Sequence, residues 1–169
     1  MSSIKMINYA NDNNKPVSIE ISNNLYMGAM ALDGNIKEVV RMLGIRIGCC
    51  PSLNNNYPIR MAALGNHMEI IKILMKDGRS DPSAKNSYAL YRAVDNNNID
   101  MIKLLLTDKR VSPHSGLIFA MEQGKVEICR IFLDASKGRI SKAEKDIFAW
   151  SAKRSGHQEV YKLLTSKYY

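Results

Sequence analysis

Apolar residues recur along this chain in short groups spaced three to four apart. They are Val39, Val40, Met42 and Leu43; Ile70, Ile71, Ile73 and Leu74; Ile102, Leu104 and Leu105; Ile128, Ile131, Phe132 and Leu133; and Val160, Leu163 and Leu164. Such spacing predicts five amphipathic helices, each burying one stripe. A second helix is expected ahead of each. The string "YPIRMAALGNHMEIIKIL" at 57–74 returns as "YALYRAVDNNNIDMIKLL" at 88–105, and it is preceded by "YMGAMALDGNIKEVVRML" at 26–43. The pattern is an internal repeat of helix pairs, and the fold class it predicts is all-α.

Anchored on an alanine, the repeat runs through Ala31, Ala62, Ala93, Ala120 and Ala152, spaced by 31, 31, 27 and 32. A small residue here lets two helices approach closely. Four residues on stand Asn35, Asn66, Asn97, Gly124 and Gly156, types that tolerate the left-handed conformation in which a helix ends and the chain reverses. Seven on come Glu38, Glu69, Asp100, Glu127 and Glu159, and ten on Arg41, Lys72, Lys103, Arg130 and Lys162. Acid and base three apart on a helix face each other, so this basic column reads as a solvated face of weak ion pairs rather than a phosphate track. Pro51, Pro82 and Pro113, with the polar residues after them, mark connecting loops. Six residues separate Pro51 from Tyr57 and Pro82 from Tyr88, but the equivalent position after Pro113 is only two on, so the loop before the fourth unit has lost four residues.

Residues 1–24 stand outside the repeat. "SIKMINY" and "PVSIEI" alternate apolar and polar around "ANDNNK", a β-hairpin signal. The expected division is therefore 1–24 as an N-terminal hairpin or cap and 25–169 as the repeat domain.

Composition narrows the function. The start has no apolar core before a small-residue cleavage site, as a signal peptide would, and no apolar run approaches the roughly 20 residues of a membrane span. A cytoplasmic, intracellular chain that is monomeric on its own is expected. Three cysteines, Cys49, Cys50 and Cys129, two of them adjacent, suit a reducing compartment. They lack the paired spacing of a zinc site; Cys129 is expected to be a small buried hydrophobe. No phosphate loop, nucleophile elbow or H-E-x-x-H motif occurs, so neither enzyme activity nor a cofactor is expected. The formal charge is +8. Residues 1–84 carry nine basic and seven acidic side chains and residues 85–169 carry fifteen and nine, so the C-terminal half, at +6, hints at an acidic partner.

The unit resembles the ankyrin repeat, whose pattern runs threonine-proline-leucine-histidine, alanine-alanine, glycine-histidine, then a Glu-Val-Val-Lys-Leu-Leu-type helix. "YPIRMAALGNHMEIIKILM" at 57–75 follows it almost throughout and "AKRSGHQEVYKLL" at 152–164 follows its second half. Tyr26, Tyr57 and Tyr88 replace the family threonine. The asparagine richness and "DPS"-type linkers are similar to ankyrin chains of protists and of the large DNA viruses that infect them. The resemblance implies an α-solenoid of about five repeats, each burying its apolar face on its neighbours. His67 and His157 fall in the family's histidine column, where an imidazole is expected to bond backbone at the helix turn.

The resemblance also implies a protein–protein interaction module that binds another protein through loop tips and the concave face of the first helices. The positions beside the anchor alanine give the expected partner surface: Met61, Leu64, Arg92, Asp95, Glu122 and Arg154. Met61 and Phe119 can equally be read as packing inward, and Trp150, the single tryptophan, is expected to be buried under the last repeat. Two other functions fit. One is nucleic-acid or nucleoprotein binding through the basic loop, with Lys137, Arg139, Lys142 and Lys145 as contacts together with Lys153 and Arg154. The other is a structural or assembly component of a virus particle.

Overall fold

The computed structural model describes residues 19–45, 49–137 and 139–166. Among them are ten helices in five consecutive pairs: α1 (Ile19–Leu32) and α2 (Ile36–Gly44), α3 (Leu53–Leu64) and α4 (Met68–Asp77), α5 (Ala84–Asp95) and α6 (Ile99–Leu105), α7 (Pro113–Glu122) and α8 (Val126–Ala135), α9 (Lys142–Arg154) and α10 (Gln158–Thr165). No strand occurs among the described residues. Ile19, Glu20 and Ile21, the end of the second predicted hairpin strand, are instead the first turn of α1; the rest of the predicted hairpin lies outside the described residues.

The stripes that predict the second helices are buried: Val39 and Met42 on α2; Ile70, Ile71 and Leu74 on α4; Met101, Ile102 and Leu105 on α6. On α8 they are Ile128, Cys129, Phe132 and Leu133, and on α10 Val160, Leu163 and Leu164. Val40 breaks the expectation and is 50% exposed, because it follows Val39 and so points about a hundred degrees away from the stripe. The anchor alanines are all buried. On the opposite face the predicted ion pairs form at Arg41–Glu38 (2.6 Å), Lys72–Glu69 (2.6 Å), Arg130–Glu127 (3.5 Å) and Lys162–Glu159 (2.7 Å).

Each turn within a pair is closed the same way. The backbone N–H of the residue before the second helix reaches five residues back: His67 to Ala62 O (2.8 Å), Asn98 to Ala93 O (2.9 Å), Lys125 to Ala120 O (2.9 Å) and His157 to Ala152 O (2.9 Å). In the first pair the same bond runs from Asn35 to Met30 O (2.9 Å), not to Ala31. The left-handed residue is accordingly Gly34 there, with Asn35 capping α2 through Glu38 N, whereas Asn66, Asn97, Gly124 and Gly156 take it elsewhere. "GNIKE" at 34–38 and "GNHME" at 65–69 are the same length, so the turn itself sits one residue earlier in this unit: Asn35 caps α2, and the helix starts at Ile36, the position that His67 holds in the next unit.

The entries to the first helices differ. Before the right-handed part of α3, Asn54, Asn55 and Asn56 are all left-handed, and before that of α5 so are Lys85, Asn86 and Ser87. Arg60 holds the first of these turns, donating from Nε to Asn55 O (2.9 Å) and from Nη2 to Asn54 O (3.1 Å), and lies over the rings of Tyr57 and Tyr88. The fourth unit has no such turn: Ser112 precedes Pro113, and α7 starts there at once. The four residues missing from its loop are the ones that would make it.

The chain divides into two compact units, Met1–Arg92 and Ala93–Tyr169, the division falling inside α5. In the first, α1 packs on α3 and α2 on α4; in the second, α7 packs on α9 and α8 on α10. First helices thus lie against first helices and second against second. Close approach is built in: a side chain at Gly28 would collide with Tyr57, and one at Gly116 with Phe132.

Candidate functional site

Within each unit, neighbouring pairs are joined by the residue that precedes the later pair's second helix. In the first unit His67 Nε2 lies 3.0 Å from Leu32 O, at the end of α1. In the second, His157 Nε2 lies 3.1 Å from Glu122 O at the end of α7, and Lys125 Nζ donates to Val94 O (2.5 Å) and Asp95 O (3.0 Å) at the end of α5. Carbonyls in the last turn of a helix lack a helical partner; Val94 O also accepts from Asn97 N (2.9 Å) in its own turn, and the next pair adds the remaining bonds. The imidazole packs flat enough on the preceding turn that a Cβ at Gly34 would meet His67, and one at Gly124 would meet His157. Asn97 stands in the glycine position just where the following residue in the column is the slimmer Lys125.

The family-model comparison agrees with this geometry. The model for ankyrin repeats (three copies) matches residues 26–116, more than half of the 169. The chain belongs to the ankyrin repeat family. No curated protein and no solved structure matches it. Ankyrin repeats are generally protein–protein interaction modules, built as solenoids in which each repeat contacts its neighbours. The match stops inside α7, yet the α7–α8 and α9–α10 turns close with the same five-residue bond, so the ankyrin geometry continues to the last pair.

The expected partner residues fall in both units. In the first, Met61 is 8% exposed and packs inward, so it offers no surface anchor; Leu64 and Arg92 are half-buried. In the second, Asp95, Glu122 and Arg154 are exposed. Trp150, expected to be buried, is 61% exposed. Its position explains this: Phe148, Ala149 and Ala152 make the buried side of α9, and Ile147, Trp150 and Arg154, at steps of three and four, lie on the other. Ile147 is 63% exposed, and the Arg154 guanidinium sits 5.3 Å from the Trp150 ring centre. Ile147 was not among the expected residues. An apolar pair on α9 out of phase with its core stripe was the available signal.

Beside this pair is a groove of about 200 Å³ between α7 and α9, walled by Ile118, Met121 and Glu122 on one side and by Ile147, Phe148 and Ser151 on the other. The His114 ring meets Phe148 edge-on at 5.2 Å.

The basic cluster is less loop than expected. Lys142 and Lys145 lie in the first turns of α9, which a capping box starts: Ser141 Oγ accepts from Glu144 N (3.2 Å), and Glu144 Oε2 accepts from Ser141 N (2.8 Å). The Ser141 hydroxyl, with its backbone N–H, holds the Glu144 carboxyl below the usual range. Arg139 is exposed, and Lys137 lies 4.0 Å from Asp134.

The thiols differ in environment. Burial pushes Cys129 up to about 12 and raises Cys49, while the Ser52 hydroxyl, 3.0 Å away, lowers Cys50. Among the described residues no helix is long and apolar enough to cross a membrane, and no group of three His, Cys, Asp or Glu side chains is gathered to hold a metal.

Proposed function

We propose that this ankyrin chain binds a protein partner through the first-helix side of its pairs, with the α7–α9 groove and the exposed Ile147 and Trp150 as the main anchor of the second unit. Leu64 and Arg92 in the first unit, and Asp95, Glu122 and Arg154 in the second, complete the proposed contacts. Two large apolar side chains left more than half exposed beside an apolar groove carry this reading. Covering Trp150 would contribute about 3 kcal/mol and covering Ile147 about 1–2 kcal/mol. Association costs roughly 4–15 kcal/mol in lost freedom, so these anchors need a wider contact surface around them. Aromatic and arginine side chains are the types that dominate binding centres, and here Trp150 and Arg154 are stacked together.

The test is retention of protein from nuclease-treated source-cell lysate on immobilised chain, compared with two variants: Ile147→Asp with Trp150→Ala, and Arg92→Ala with Asp95→Ala. All four side chains are half-buried or exposed, and circular dichroism checks that both variants stay folded. A protein held by the wild type and lost from the first variant supports the reading. Retention of nucleic acid in place of protein from a parallel lysate without nuclease, abolished by nuclease, by salt and by Lys137→Glu with Arg139→Glu, would replace it with the nucleic-acid function.

A further inference from the structure

The groove on the second unit also restricts what can enter it. Its walls are apolar where Ile118, Met121, Ile147 and Phe148 face it, and its volume of about 200 Å³ is on the scale of one large side chain. Charge enters at one end. Glu122 stands two residues beyond Ala120 on α7, and Arg154 two beyond Ala152 on α9, so the repeat sets a carboxylate and a guanidinium at matching positions on adjacent helices. No ion pair joins them among the described residues, for Arg154 lies over Trp150 at 5.3 Å and Lys153 over Tyr161 at 5.5 Å. Both cations therefore rest on aromatic faces that fix their direction without neutralising them.

The nearby acids are mostly committed. Glu127, Asp134 and Glu159 face Arg130, Lys137 and Lys162, and Glu144 is held in the α9 cap. Asp146 on α9 and Glu122 on α7 are the acids set against Lys142, Lys153 and Arg154, within a C-terminal half whose net charge is +6. Electrostatic complementarity of this kind sets partner choice and orientation more than it sets raw affinity.

We infer that the groove takes a partner segment bearing one bulky apolar side chain with carboxylates next to it. The apolar side chain fills the space between α7 and α9, and the carboxylate meets Arg154 on the α9 side, since Lys153 points away to Tyr161 on α10. Glu122 repels an acid on the opposite wall and so fixes which way the segment lies. This rests on the interaction reading above and names the chemistry of the partner at that site.

A display library of random linear peptides, selected on the full chain, tests it. Selected peptides are then titrated against the emission of Trp150, the single tryptophan of the protein. The expected result is enrichment of Asp or Glu beside Leu, Ile, Phe or Trp. Binding should vanish with Ile147→Asp, weaken at least about tenfold with Arg154→Glu, and hold or tighten with Glu122→Gln. Enriched peptides that are basic, that ignore Ile147→Asp, or that bind Arg154→Glu unchanged would overturn it, as would no enrichment at all. If lysate protein is still retained through Ile147 and Trp150 in any of those cases, the interaction module stands and only the acidic assignment falls.

Discussion

Helix propensity and packing make opposite predictions for Gly116→Ala. Glycine in the body of a helix costs roughly 0.5–1 kcal/mol relative to alanine, so on propensity alone the substitution in α7 should stabilise by about that much. The packing says otherwise. The new methyl would stand 2.9 Å from Phe132 Cδ1 and closer still to Cε1 and Cζ. Phe132 is fully buried on α8, so its ring has no solvent to swing into. Overfilling a packed core costs roughly 1–3 kcal/mol. The collision involves three atoms of a rigid ring, which puts it at the upper end, and the net expectation is destabilisation by about 1–2 kcal/mol. Urea unfolding followed by Trp150 emission reports on the unit that contains both residues, and with a slope of about 2 kcal/mol/M the midpoint should fall by about 0.5–1 M. In a double-mutant cycle with Phe132→Leu, which removes the ring, the coupling should exceed about 1 kcal/mol. A Gly116→Ala protein that is more stable than the wild type, or costs that simply add, would refute the argument.

The His157 link gives a second expectation. Gly124→Asn, which suits a left-handed residue, should destabilise by more than about 1 kcal/mol through collision with the His157 ring and be nearly neutral in a His157→Ala background, as thermal unfolding of the four proteins would show. Ser141→Ala should cost about 1 kcal/mol by removing the α9 cap. The carboxyl of Glu144 titrates below its unfolded value, so its contribution is present above the unfolded pKa and lost as pH falls through the folded one; Glu144→Gln should flatten that acid limb in pH-dependent unfolding. Iodoacetamide at neutral pH should modify Cys50 first, Cys49 more slowly and Cys129 last, since the thiolate is the reactive form. Peptide mapping that found Cys129 modified before Cys50 would contradict the assigned environments.

Most of the fold was legible because the ankyrin repeat writes the same physical problem five times. A buried stripe, a close-contact alanine and a left-handed turn each demand a narrow choice of residues, and columns of like residues appear. The missing turn before α7 could even be counted from the shortened loop. What failed was local. Chain alternation suggested a strand through Ile19 and Ile21, but a helix starts there. The first unit hid its earlier turn because its residue spacing is the same as the second unit's, and the Asn35-to-Met30 bond is what shows the turn closing one position sooner. The three left-handed residues before α3 were beyond reach: Asn54 to Asn56 advertise a turn, not its hand.

The candidate site was harder to read for a reason that follows from the repeat itself. Columns reveal residues that every unit needs, whereas recognition needs what one unit has and the others lack. Met61 sat in the expected surface column and is buried, because one residue turns a helical position by about a hundred degrees, enough to carry it from the edge of one side into the core stripe. Trp150 was assigned to the core because a lone tryptophan in a small protein buries more area than any other side chain. Its phase on α9 argues the reverse once Phe148, Ala149 and Ala152 are fixed as the inward side. An exposed Trp150 and Ile147 contribute nothing to holding α9 against α7, which Phe148 and Ala152 already do. Replacing both by polar residues should therefore leave folding stability within about 0.5 kcal/mol while abolishing partner retention. A large loss of stability in that variant would assign the pair to the solenoid rather than to recognition.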